Sequence, residues 1–119
     1  MKQFRFLEWP VYRSAQELFA TILKLVRGLP KEYRYELGSQ LARSSLSVVL
    51  NIAEGSGKAS DREMNRFLEI ALGSLYETLA AVETFKEMKL VDEDEFSQIR
   101  ERVSVIANQI GGFKKKLDS

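Results

Sequence analysis

Residues 40 to 55, Gln40-Leu41-Ala42-Arg43-Ser44-Ser45-Leu46-Ser47-Val48-Val49-Leu50-Asn51-Ile52-Ala53-Glu54-Gly55, carry two lines of side chains at helical spacing. Leu41, Ser45, Val48 and Ile52 recur at four, three and four, and Gln40, Arg43, Ser47, Asn51 and Glu54 form a second line beside them. Exposed helix faces are usually rich in Lys and Glu, whereas this second line is built from short hydroxyls and amides with one arginine and one glutamate. It reads as a structural polar seam in a helix packed on both sides, whose polar groups satisfy one another because buried polar groups are normally hydrogen-bonded. Ser74 and Glu77, further along, are the expected partners, with Arg43 reaching towards Glu77 and Asn51 facing the region of Phe67 in an antiparallel pair.

Outward from this stretch the chain reads as helix throughout. Residues 1 to 8 lack periodicity and suit an arm lying on the body. A first helix spans about 10 to 28: Pro10 fits a first helical position, and Val11, Ala15, Leu18, Ile22, Leu25 and Leu29 repeat at four and three. Gly28 and Pro30 end it, the glycine by accepting a left-handed conformation and the proline by lacking an N–H. The second helix runs from 31 to 54, with Gly55 as its stop, and its small residues Gly38, Ser39, Ala42, Ser44, Ser45 and Ser47 trade helix propensity for close packing. Ser60 with Glu63 forms a capping box that opens a third helix over 61 to 89, where Met64, Leu68, Ala71, Leu75, Thr78, Val82 and Phe85 make a wide stripe. Asp92 with Glu95 opens a fourth over 93 to 117, whose Phe96, Ile99, Val103, Ile106, Ile110, Phe113 and Leu117 hold a strict three-four alternation. Lys114 to Lys116 complement the negative end of its dipole. Four long helices with short connections predict one all-α domain over 1 to 119, an antiparallel up-down-up-down four-helix bundle. The second and third helices show more apolar and small surface than one core needs, which predicts a homo-oligomer.

Composition narrows the function. The 119 residues are 45% apolar and 29% charged, ordinary globular material for one domain. Net charge is only +1, with residues 1 to 66 at +4 and 67 to 119 at −3. Cysteine and histidine are both absent, which removes thiolate and histidine metal sites, the Ser-His-Asp and Cys-His nucleophiles and the Glu-x-x-His pattern of di-iron bundles. No enzyme, cofactor or metal is therefore expected, and a hydrolase resting on Glu54 or Glu77 would lack the partner that activates a carboxylate. Gly55-Ser56-Gly57-Lys58-Ala59 is no phosphate loop, because Ile52 stands where the Walker glycine belongs and Ala59 where a magnesium-binding hydroxyl belongs. Asp92 to Glu95 lack the spacing of a calcium loop. With no apolar run near 20 residues and no h-region after Met1, a cytoplasmic protein is expected.

Leu29-Pro30-Lys31-Glu32, Leu37, Gln40-Leu41, Ser47, Asn51-Ile52-Ala53-Glu54-Gly55, Phe67-Leu68, Ala71, Gly73-Ser74-Leu75 and Glu77 carry a family likeness. Over the middle of the chain, and in length and helix count, it resembles the small four-helix bundle proteins encoded in intervening sequences of bacterial 23S ribosomal RNA genes. Ser44 and Ser45 stand where that family has alanines, and Leu50 where a smaller residue or proline is usual. The resemblance implies a homopentameric ring and little defined activity. A related branch, the accessory variability protein of diversity-generating retroelements, is a strongly basic pentameric barrel that associates with a reverse transcriptase and with nucleic acid. Two functions are thus expected of this nearly neutral chain. One is a non-enzymatic scaffold or adaptor for a protein or ribonucleoprotein partner. The alternative is direct RNA binding through a basic rim of Arg5, Arg13, Lys58, Arg62 and Arg66.

Overall fold

Apolar side chains spaced at three and four along each long segment force the segments to pair, and the resulting body measures 46 × 22 × 20 Å. A computed structural model describes residues 3–118; the first two residues of the expected arm, Met1 and Lys2, and the last residue, Ser119, lie outside the described residues. After a 3-10 turn at Arg5–Glu8 come α1 (Pro10–Arg27), the single turn α2 (Lys31–Arg34), α3 (Glu36–Ser56), α4 (Asp61–Glu87) and α5 (Glu93–Asp118). The four long helices stand antiparallel at the corners of a square, in which α3 packs against α1 and α4, and α5 against α4 and α1. Leu18, Ile22, Val48, Ile52, Leu68, Leu75, Ile106 and Ile110 fill the centre and are almost fully buried. Among the described residues, no helix is long and apolar enough to cross a membrane.

Asp92 and Glu95 close a full capping box, whereas Ser60 and Glu63 make one of its two bonds. The Ser60 hydroxyl accepts the Glu63 N–H at 3.2 Å, and at the start of α5 the Glu95 N–H donates to Asp92 Oδ1 at 2.8 Å while the Asp92 N–H donates to Glu95 Oε1 at 3.2 Å. Other ends differ from the sequence expectation. The helix expected over 31 to 54 is interrupted at Tyr35, which keeps right-handed helical dihedrals of φ −71° and ψ −55°, so α2 and α3 follow one another with only a break in the hydrogen-bond ladder. Gly28 ends α1 at φ −85°, in the right-handed region rather than the left-handed one. The left-handed C-terminal residue belongs to α4 and is Lys89, at φ 63°. Around it the Leu90 N–H reaches the Phe85 carbonyl at 2.8 Å and the Lys89 N–H the Lys86 carbonyl at 2.9 Å, the two bonds of a Schellman motif.

Gly55, expected as the stop of the second long helix, lies inside α3, which continues to Ser56 and is capped by Gly57. Gly55 is buried, and a Cβ there would lie 2.9 Å from the Phe67 Cβ, so its task is to let α3 and α4 touch near one end of the bundle. Gly38 does the same against α1, where a Cβ would lie 2.6 Å from Val26 Cγ1.

Candidate functional site

Crossing from α3 to α4, the polar seam divides into an inner line and an outer one. Ser44 is 4% and Thr78 0% exposed, and their hydroxyls meet at 2.8 Å. The Ser44 hydroxyl also lies 3.0 Å from the Leu41 carbonyl, and that of Thr78 lies 2.9 Å from the Ser74 carbonyl. Each hydroxyl owns one proton, so either Ser44 donates to Thr78 and Thr78 to the Ser74 carbonyl, or Thr78 donates to Ser44 and Ser44 to the Leu41 carbonyl. In both arrangements each hydroxyl donates and one accepts, which keeps the pair free of an orphaned donor in an apolar wall. One turn on, Ser47 and Ser74 bring their hydroxyls to 2.9 Å, and the Asn51 amide reaches back to the Ser47 carbonyl at 2.8 Å and hydroxyl at 3.0 Å.

Thr78→Val keeps the side-chain shape and removes the hydroxyl while leaving Ser44 its own helical carbonyl as acceptor. Urea unfolding should show a loss of about 1 kcal/mol, the net value of one such hydrogen bond. A loss above about 3 kcal/mol would mean that Ser44 is left without a partner.

The outer line is different. Gln40, Arg43, Glu54 and Glu77 are exposed, and Arg43 makes no ion pair with Glu77. The crossing point that this pair was expected to occupy is taken by Ser44 and Thr78, each one residue further along its helix and therefore turned inward by about 100°. The Asn51 amide is bonded within its own helix, and Gly55, one turn further on, is the residue that meets Phe67. Sequence reasoning missed Ser44 and Thr78 as seam members. Thr78 sat in the apolar stripe of α4, and a threonine in such a stripe facing a serine-rich helix was the available signal.

Arg5, Arg13, Lys58, Arg62 and Arg66 lie at one end of the bundle, where α1 and α4 begin and α3 ends. Two of the five are already committed. The Arg5 guanidinium donates to the Ser56 carbonyl at 3.1 and 3.3 Å, touches Met64 Sδ at 3.6 Å and lies 5.3 Å from the centre of the Trp9 ring. These contacts, with Trp9 against Phe113 at 4.6 Å and Phe6 against Tyr12 at 4.9 Å, fasten the arm to the body. Lys58 Nζ lies 4.8 Å over the Phe67 ring. Arg13, Arg62 and Arg66 are exposed. Glu63 and Glu69 stand among the α4 arginines and lower the local positive potential, and Glu69 holds Lys114 of α5 at 3.1 Å.

Large apolar side chains also reach solvent. Leu46 is 37% and Leu50 54% exposed on the outward side of α3, and Ile70 is 42% exposed on α4. An open groove of about 580 Å³ between α1 and α5 is lined by Glu17, Glu101, Arg102 and Val105 among others, and Arg102 holds Glu17 across it at 3.5 Å. No group of His, Cys, Asp and Glu able to hold a metal occurs among the described residues.

These features define a small antiparallel helical bundle with a satisfied polar seam, a basic end and uncovered apolar side chains. Residues 8–112 match the family of 23S rRNA-intervening sequence proteins, and the chain belongs to that family. Its fold is similar to that of a protein of unknown function from the S23 ribosomal protein family of Bacteroides thetaiotaomicron VPI-5482, with a TM-score of 0.82 and 22% identity over 88% of this chain and 98% of the other. No curated protein matches the chain in sequence.

Proposed function

We propose that the protein is a non-enzymatic, cytoplasmic homo-oligomeric scaffold, a pentamer, that serves as adaptor for a protein or ribonucleoprotein partner. The observation that carries this reading is the outward exposure of Leu46, Leu50 and Ile70 on α3 and α4, side chains that the bundle core leaves uncovered. The resemblance to a family with one branch, the accessory variability proteins, that associates with a reverse transcriptase and nucleic acid supports a ribonucleoprotein as the kind of partner. The lack of histidine and cysteine supports a role without catalysis, metal or cofactor. Sedimentation equilibrium at micromolar concentration should return about five times the 13.6 kDa protomer mass, and a monomer under those conditions would refute the oligomeric scaffold.

Direct RNA binding is the second reading, favoured by the gathering of Arg13, Arg62 and Arg66 at one end. A gel-shift series in salt separates the two. If those three arginines each neutralise a phosphate of single-stranded RNA, log K should fall with log salt at a slope of about −2, whereas an adaptor for protein shows no RNA retardation at any salt.

A further inference from the structure

Gly38 and Gly55 each have a neighbour that a Cβ would strike, but a Cβ on Gly73 would meet nothing within 4 Å. Gly73 sits in the middle of α4 and is exposed, so within one protomer it weakens the helix and makes room for nothing. Ile70, Gly73 and Glu77 recur at three and four along the outer side of α4, and Arg43, Leu46 and Leu50 recur likewise along the outer side of α3. Arg43 and Glu77 are exposed, opposite in charge and not paired with each other. At adjacent corners of a square bundle the outward sides of two helices face roughly a right angle apart, and heterologous contact between faces so inclined closes a ring of about four or five copies.

We infer that α3 of one protomer packs onto α4 of the next, with Leu46 and Leu50 beside Ile70, the helix backbones approaching at Gly73, and Arg43 paired with Glu77 across the contact. This rests on the homo-oligomeric reading and specifies its interface. The missing side chain at Gly73 admits the leucines of the neighbour, and the ion pair sets the register along the helices. In a copy docked with α3 on α3 or α4 on α4 neither charge meets an opposite one beside the leucines, so the ion pair selects the heterologous arrangement.

The test is sedimentation velocity on the full chain and four variants over a concentration series. Gly73→Gln places a good helix former in space that is open within the protomer, so circular dichroism at the dilute limit, where the wild-type chain is dissociated too, should show an intact or more heat-resistant helix while assembly weakens at least 100-fold. Arg43→Glu and Glu77→Arg should each weaken assembly at least tenfold, and the double exchange should return it to within about threefold of the original. A wild-type chain that stays monomeric overturns the oligomeric reading and this interface with it. A wild-type oligomer that Gly73→Gln leaves intact, or that the double exchange fails to restore, overturns the interface alone.

Discussion

Gly55→Val is expected to cost about 3 kcal/mol of folding stability, at the upper end of what overpacking a well-filled contact costs. The Cβ that any other residue brings would lie 2.9 Å from the Phe67 Cβ and 3.4 Å from the Met64 carbonyl oxygen. Neither atom can turn aside, since one is bonded directly to the α4 backbone and the other is part of it. Relief requires α3 and α4 to move apart, and the movement falls on the end where Lys58 lies over Phe67 and Arg5 holds the Ser56 carbonyl. Removing a glycine from a helix returns roughly 1 kcal/mol of backbone propensity, less for a β-branched residue, so the net loss is dominated by the contact. Urea unfolding at one fixed protomer concentration should show a lower midpoint with an unchanged slope. A loss below about 1 kcal/mol would show that the two helices separate here without penalty.

The same glycine shows where the sequence stopped being informative. The three-four alternation of Val11, Ala15, Leu18, Ile22 and Leu25, and of Ile99, Val103, Ile106 and Ile110, placed buried faces on α1 and α5 because a stripe of that length has no other way to leave water. Capping pairs located the starts of α4 and α5 because their hydrogen bonds are local, spanning three residues. A single glycine inside a helix has no such signature. Gly55 makes room for Phe67, Gly38 makes room for Val26 and Gly73 touches nothing, yet all three read alike until the neighbouring helix is placed. The end of α4 was hidden for the converse reason, since Lys89 adopts a left-handed conformation that its side chain disfavours.

The polar seam was legible in its letters and not in its depth. Ser47 and Ser74 do join α3 to α4, with Asn51 turned back onto Ser47, but Arg43 and Glu77 stand at the solvent edge while Ser44 and Thr78, one residue on, meet inside. Each step along a helix turns the side chain by about 100°, so an error of one residue in the crossing exchanges a buried position for an exposed one. Only the relative rotation of two helices fixes that choice, and spacing within one helix does not report it. The basic residues pose the same problem at longer range. Arg5, Arg13, Lys58, Arg62 and Arg66 are scattered in sequence and gather in space because α1 and α4 start where α3 ends, while the use of Arg5 as the fastening of the arm depends on a carbonyl 51 residues away.

Leu75→Ala and Leu50→Ala delete the same atoms from neighbouring helices and should have different consequences. Leu75 is 0% exposed at the middle of α4, so its truncation leaves a cavity lined by helices that can collapse only partly, and the loss should be about 4 kcal/mol. For a chain of 119 residues, whose total stability is of the order of 6 to 18 kcal/mol, that is a large fraction of the whole. Leu50 is 54% exposed, and within a protomer its truncation removes little buried surface and introduces a better helix former, so protomer stability should change by less than about 0.5 kcal/mol. If α3 seats Leu50 against a neighbouring copy, the melting temperature of the wild-type chain rises with protein concentration by mass action, and Leu50→Ala flattens that dependence while leaving the dilute limit unchanged. Leu75→Ala lowers the melting temperature by a similar amount at every concentration. Thermal melts followed by circular dichroism across a hundredfold dilution series therefore separate a core leucine from an interface leucine. A dependence on concentration that survives Leu50→Ala would place the contact between copies on another face.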